Sequence, residues 1–123
     1  MNGDEDPGIG YFLELDGTIH FIDEKCQYRV EIMARRVAVT PERPHGLGYS
    51  LTLHDSKSDR ILGFDNAHLV AANKGPSGKR HKAYDHKHRY EKTRIYRFVD
   101  TETLITDFYK AVDQILKEKG VVP

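Results

Sequence analysis

The sequence predicts an α+β domain in which an antiparallel meander sheet of about five strands carries one C-terminal amphipathic helix on one face. Two observations support this fold class. Between Cys26 and Leu53 apolar side chains recur mostly at every second residue, which is the period of half-buried strands. From Thr101 to Lys117 they recur at the helical period instead. The polar turns between the strand patterns are short, which favours antiparallel neighbours.

Length and composition fit one domain. The chain has 123 residues, 38% of them hydrophobic and 31% charged, as in ordinary globular proteins. The acidic residues 1–9 predict a disordered tail, and residues 10–121 then form the domain. No apolar run approaches the roughly 20 residues of a membrane span, and no basic-then-apolar leader opens the sequence. A single cysteine, Cys26, excludes an internal disulfide, so we expect a cytoplasmic protein.

The strands can be assigned in order along the chain. Asp16-Gly17 is a hairpin turn dipeptide between the first two. The clearest alternation begins at Cys26, which it places on the buried side with Tyr28 and Val30. Asp55–Asp59 is a polar turn between two later strands. The predicted strands are Tyr11–Leu15, Thr18–Ile22, Cys26–Arg35, Leu47–His54, Arg60–Phe64 and Thr93–Val99.

The C-terminal helix has recognisable ends. Asp100 or Thr101 can cap its first turn, and Gly120 is suited to follow its last. Its apolar stripe predicts burial against the sheet, with Phe108 at the centre. The segment Asn66–Glu91 shows neither period, and loops of this length within compact domains are more often functional than not.

Positive charge is concentrated in that irregular segment. From Lys74 to Arg94 there are eight lysines and arginines against two acids, in a chain whose formal net charge is zero. Four of the seven histidines, His68, His81, His86 and His88, lie in the same region. A neutral protein with such a local excess of cations is expected to bind a polyanion there.

His86-Lys87-His88 has three interpretations. In an extended chain the two imidazoles share a face about 6.5–7 Å apart, which leaves room for a phosphate between a general base and a general acid, as RNA cleavage through the 2′-hydroxyl requires. They could instead bind a divalent metal, with Asp65, His68, His81 or Asp85 as a third ligand. The third interpretation is a solvated basic loop without chemistry. The acid–base interpretation and the solvated-loop interpretation require no cofactor.

Other residues complete the candidate site. Asp65 and Asp85 each precede a histidine and could orient its ring, although Asp65-Asn66 is also ordinary turn chemistry. Arg89 could stabilise a phosphorane. We therefore predict catalytic residues Asp65, His68, Asp85, His86, His88 and Arg89. The predicted RNA-binding residues are Lys79, Arg80, Lys82, Tyr90 and Arg94, because tyrosine stacks on bases and cations pair with phosphates.

Several motifs resemble a known family. The run from Arg60 to His68 ends in Gly-Phe-Asp-Asn-Ala-His, and Asp85-His86-Lys87-His88-Arg89 follows it. Tyr96-Arg97-Phe98 and Leu104-Ile105-Thr106-Asp107-Phe108 come next. Together they resemble the TumE-type toxins of prokaryotic toxin–antitoxin modules, over roughly Tyr11–Val121. The resemblance implies a cytoplasmic toxin component acting on RNA and a helix-turn-helix antitoxin as its partner. The resemblance does not indicate an oligomeric state.

Overall fold

The computed structural model of the chain describes residues 6–41, 43–66 and 85–122. Within these residues there are two helices and six strands. Their bounds are α1 Ile9–Glu14, β1 Thr18–Phe21, β2 Arg29–Arg36, β3 Leu47–His54, β4 Arg60–Asp65, β5 His86–Arg89, β6 Lys92–Ile95 and α2 Thr101–Glu118. The strands form one open antiparallel sheet in chain order. The predicted α+β meander with a C-terminal helix is therefore confirmed, with six strands instead of about five.

Helix α2 has the predicted ends and the predicted buried stripe. The Asp100 carboxylate accepts a hydrogen bond from the Thr103 N–H at 2.7 Å, as an N-cap does. At the other end Gly120 has φ +74°, and the N–H groups of Gly120 and Val121 donate to the carbonyls of Lys117 and Leu116. This is a Schellman motif, which needs a left-handed residue at that position.

The core lies between α2 and one face of the sheet. The helix contributes Leu104, Phe108, Val112 and Ile115, and the central strands contribute Val30, Ile32, Tyr49, Leu51, Leu53, Leu62 and Phe64. Phe108 is completely buried and meets the Phe64 ring edge-on at 5.7 Å between centroids. The predicted burial of the α2 stripe is confirmed.

Two predictions for the first thirty residues are wrong. Tyr11–Leu15 is not a strand, because it lies almost entirely in α1, whose Ile9 and Phe12 are three positions apart and both buried. Cys26 is not a buried strand residue. It is exposed with φ 55°, in a turn where the Asp23 carboxylate accepts the N–H groups of the next two residues at 2.9 and 2.8 Å.

The residues predicted as a tail include some that contact the domain. The Asp6 carboxylate accepts hydrogen bonds from the Thr101 N–H at 2.6 Å and from the Thr101 hydroxyl at 2.9 Å. Ile9 is 6% exposed. Residues 1–5 lie outside the described residues, and the boundary at residue 10 stays a prediction. Neither helix of the described part is long and apolar enough to cross a membrane.

Strand β5 is the one strand of the described sheet that the sequence did not predict, and it lies within the segment that showed no sequence period. It pairs with β4 and β6, and its two faces are both polar, so it has no apolar alternation to detect. The last strand ends at Ile95, earlier than the predicted Val99. Tyr96 is nevertheless buried and Phe98 packs against the core.

The register assigns each residue of β5 to a face of the sheet. Lys87 lies opposite Phe64 and Arg89 lies opposite Leu62, so these cations share the face that α2 covers. His86 and His88 lie on the other side, which we call the open face. Asp65 is on the open face as well, opposite His86 in the register.

Candidate active site

Asp65 and His88 form the centre of the candidate site on the open face. His88 Nε2 lies 3.1 Å from Asp65 Oδ2, and the two side chains are 18% and 12% exposed. The register places Asp65 opposite His86 and Gly63 opposite His88, so the pair is a diagonal contact between neighbouring strands. The contact joins the end of β4 to the middle of β5.

The hydrogen bonds of His88 define which ring nitrogen can act as a base. Its Nδ1 lies 3.0 Å from the Thr93 hydroxyl oxygen across the β5–β6 hairpin. An ionised carboxylate can only accept, so Nε2 carries the hydrogen and donates it to Asp65. Nδ1 then carries no hydrogen, and its lone pair accepts a hydrogen bond from the Thr93 hydroxyl. A carboxylate that fixes the tautomer of a histidine in this way is a recurrent feature of acid–base sites.

Arg60 brings a positive charge to the same carboxylate. Its Nη1 lies 3.7 Å from Asp65 Oδ2, and its side chain crosses over Gly63. A Cβ added at Gly63 would come within 3.3 Å of Arg60 Cδ and 3.4 Å of Nη1. The glycine of the Gly-Phe-Asp-Asn motif therefore leaves room for the arginine to reach Asp65.

His86 lies beside this pair on β5. The His86 and His88 rings are stacked with centroids 6.1 Å apart and an interplanar angle of 30°. The predicted spacing of two histidines on one face thus occurs. One of the two rings is fixed by a carboxylate, while the other is half-buried at the surface.

The pKa of His88 makes stability depend on pH. Burial lowers this pKa below its usual 6.5; Asp65 opposes the shift, and the charges of Arg60 and His86 add to it. The folded state therefore binds fewer protons here than the unfolded chain does. We expect the contribution of this group to the free energy of unfolding to be constant above about pH 6.5 and to decrease as the pH falls toward the lower folded-state pKa.

Urea unfolding measured between about pH 7.5 and 5 checks this expectation. His88→Gln removes the titration, so the variant should lose less stability than the native protein on acidification. Ser56→Ala, at the exposed turn between β3 and β4, is the control, because it removes no titratable group and should keep the native pH dependence. If His88→Gln loses as much stability as the native protein does, the pKa of His88 is not lowered.

Asp85 belongs to a different cluster, on the α2 side of the sheet. Its carboxylate accepts a hydrogen bond from the Tyr49 hydroxyl at 2.6 Å and lies 3.1 Å from His45 Nε2. The Leu47 N–H donates to His45 Nδ1 at 3.1 Å, so Nε2 is again the donor. Burial and the adjacent Asp85 carboxylate raise the pKa of Tyr49. This buried cluster connects the start of β5 to the loop before β3.

Asn66 has a structural role next to Asp65. It is completely buried; its side chain accepts from the Tyr49 N–H at 2.9 Å and donates to the Leu47 carbonyl at 2.6 Å. The amide thus continues the hydrogen bonding of β3 beyond the end of β4. In the Asp-Asn pair the aspartate lies in the candidate site, and the asparagine holds the strand end.

Arg89, Arg94 and Tyr90 are not part of the open-face cluster. Arg89 lies on the α2 side, where its guanidinium donates to the Glu118 carboxylate. Arg94 lies opposite Lys87 on that same side, and Tyr90 forms the hairpin turn with 45% of its surface exposed. The remaining predicted residues lie outside the described part of the chain: His68, Lys79, Arg80 and Lys82.

The sequence interpretation missed Arg60, Thr93 and His45. Arg60 had a detectable signal, because it begins the strand that ends in Asp65, but its path across Gly63 needs the structure. Thr93 and His45 had no detectable signal, since their contacts with His88 and Asp85 depend on how the strands are paired. Among the described residues no group of three histidine, cysteine or acidic side chains is placed to hold a metal ion.

Comparison with known proteins adds the family. The family described as Toxin TumE matches residues 8–116, which include both strands of the site and most of α2. The chain belongs to the TumE toxin family. No curated protein matches the chain, and neither does any solved structure. Membership supports a toxin component of a toxin–antitoxin pair, and it suggests an antitoxin as partner.

Proposed function

We propose that this TumE toxin cleaves RNA by acid–base catalysis at its open face, with His88 as general base and His86 as general acid. One observation carries the proposal: the Asp65–His88 pair, with a second imidazole stacked beside it at 6.1 Å. The lowered pKa of His88 keeps its ring neutral near pH 7, as a base requires.

The reaction uses the 2′-hydroxyl of the RNA as the nucleophile. His88 Nδ1 takes the proton of that hydroxyl in place of the Thr93 contact, and the 2′-oxygen bonds to the adjacent phosphorus. His86 in its protonated form gives a proton to the 5′-oxygen as the P–O bond breaks. The products are a 2′,3′-cyclic phosphate and a 5′-hydroxyl. Asp65 stabilises the imidazolium that forms on His88.

Among the cations of the described residues, Arg60 is the one best placed to stabilise the phosphorane. Its guanidinium already lies 3.7 Å from Asp65, and a planar guanidinium suits a phosphate oxyanion. Arg89, which the sequence suggested for this role, lies on the other side of the sheet. A contribution of His68, and RNA binding by Lys79, Arg80 and Lys82, remain part of the proposal.

The cellular setting follows from the reaction. RNA substrates place the toxin in the cytoplasm, and we propose a helix-turn-helix protein as its antitoxin. Such an antitoxin would restrain the activity by covering the open face, which also carries the exposed side chains of Ile19, Met33 and Ile95.

Incubation of the purified protein with total RNA tests the proposal. We expect cleavage that persists in EDTA and leaves 2′,3′-cyclic phosphate ends, because no metal takes part. A fully 2′-O-methylated RNA is the matched control and should stay intact, since its nucleophile is blocked. Cleavage lost in EDTA would instead identify a metal-dependent phosphoesterase, and binding without cleavage a non-enzymatic module.

A further inference from the structure

The β5–β6 hairpin carries a set of cations on the face opposite the candidate site. Lys87 pairs with Arg94 and Arg89 pairs with Lys92 in the register, so four positive side chains form a two-by-two array on the α2 side. Helix α2 has backbone contacts with α1 and β4, and the Arg89–Glu118 pair joins its last turn to the hairpin. Lys110 and Lys119 of the C-terminal segment face the space between.

These six residues line one groove, which we call the basic groove: Lys87, Arg89, Lys92, Arg94, Lys110 and Lys119. The cavity has a volume of about 1500 Å³. Directly opposed like charges destabilise a strand pair, so the arrangement gains nothing for folding. It gains free energy when an anion occupies the groove.

The acidic groups nearby compensate only part of this charge. Asp55, Asp59, Glu91 and Asp107 line the same cavity, against Arg60 and the six cations of the groove. Glu118 pairs with Arg89, and Asp107 accepts a hydrogen bond from the Tyr96 hydroxyl at 2.6 Å. For Lys87, Lys92 and Arg94, no ion pair within 4.0 Å occurs in the described part of the chain. These three charges remain available to a ligand.

The basic groove is continuous with the candidate active site. Arg60 and His88 line the same cavity as the six cations, as does Tyr90 at the hairpin turn. A flexible chain that leaves the open face can therefore pass the turn and enter the groove. A single nucleic-acid strand has that flexibility and carries a phosphate at each step, whereas a duplex is too stiff to bend around a two-stranded hairpin.

We propose that the basic groove binds the phosphates of a single RNA strand that flank the bond cleaved at the open face. The inference rests on the proposed function for the identity of the strand. Phosphate pairing with lysine and arginine is independent of base sequence, so the groove supplies affinity and direction, and it leaves sequence preference to other contacts.

Binding of an uncleavable strand tests the groove separately from catalysis. The probe is a fluorescent 2′-O-methyl RNA of about 12 nucleotides, titrated at several salt concentrations with the native protein and with Lys87→Gln plus Arg94→Gln. Each phosphate contact in a single strand contributes about 0.7 to the slope of log K against log salt. The double variant should therefore lose about 1.4 from this slope and bind more weakly at low salt.

Lys25→Gln plus Arg97→Gln is the matched control, because it removes one lysine and one arginine that are exposed outside the cavity. It should keep the native slope, and thermal unfolding should show that both variants are folded. An unchanged slope in the groove variant overturns the proposal, as does an equal loss in the control. Failure of the native protein to bind the probe also overturns it and favours an acidic protein as occupant. Loss of the slope in a protein that cleaves no RNA supports the groove and refutes the proposed catalysis.

Discussion

His88→Gln should lower the rate of RNA cleavage by about 10²–10⁴-fold, the usual contribution of a general base. Glutamine fills a similar volume, and its amide can still donate a hydrogen bond toward Asp65, which lies 3.1 Å from the imidazole in the native protein. It has no basic nitrogen, however, so the 2′-hydroxyl proton has no acceptor. Single-turnover rates on a labelled RNA, with protein in excess, measure the effect on the chemical step.

The control for this substitution is His20→Gln. His20 lies on β1, at the sheet edge opposite the β5–β6 hairpin, so the same chemical change there should leave the cleavage rate at its native value. The two variants should also separate in a growth assay, where only His88→Gln loses toxicity. Full cleavage by a folded His88→Gln protein would exclude His88 as the base.

The elements that could be predicted from the sequence are those with one buried face. Strands β3 and β4 and helix α2 each present an apolar stripe to the same core, so their period identifies both the element and the direction of burial. Phe108 and Leu51 are examples, because each lies at the period of its element and each is buried. Asp65 also lies where the strand pattern ended, at the last residue of β4.

Strand β5 could not be identified in this way. Its residues alternate between histidines on the open face and cations on the α2 side, and both classes are polar. The same alternation explains why the predicted site divides in two. Successive strand residues point to opposite faces, so Asp85 and Arg89 lie across the sheet from His86 and His88. The sequence-based prediction applies this alternation to His86 and His88 alone, whereas in the strand it also determines the faces of Asp85 and Arg89.

Contacts between distant segments could not be predicted from the sequence for a different reason. His45 and Asp85 are separated by 40 positions in the chain and meet only because the loop before β3 lies against the start of β5. Asn66 is similar, since its side-chain partners belong to the neighbouring strand β3. A turn interpretation based on local chemistry describes Asp65 and Asn66 equally well, and only the strand register separates their roles.

Phe108→Ala should destabilise the domain by about 3–5 kcal/mol, the usual cost of truncating a buried phenylalanine. The side chain is fully buried, and its ring meets those of Phe64 and Tyr109 edge-on, with centroid distances of 5.7 and 5.2 Å. The free energy of unfolding of a domain of this size is about 5–15 kcal/mol in total, so the variant should be largely or partly unfolded. Phe108→Leu leaves a smaller cavity and should fold with an intermediate loss.

Urea unfolding followed by circular dichroism measures this series, with Asp113→Ala as the control on the same helix. Asp113 is exposed and pairs with Lys117 one turn away at 3.2 Å, a contact worth about 0.3–0.5 kcal/mol. The free energy of unfolding should therefore decrease in the order native protein, Asp113→Ala, Phe108→Leu and Phe108→Ala. A loss below about 1 kcal/mol for Phe108→Ala would mean that this ring is not in the core. Because α2 and the β4 strand that carries Asp65 share this core, the alanine variant should also lose activity in proportion to its unfolded fraction.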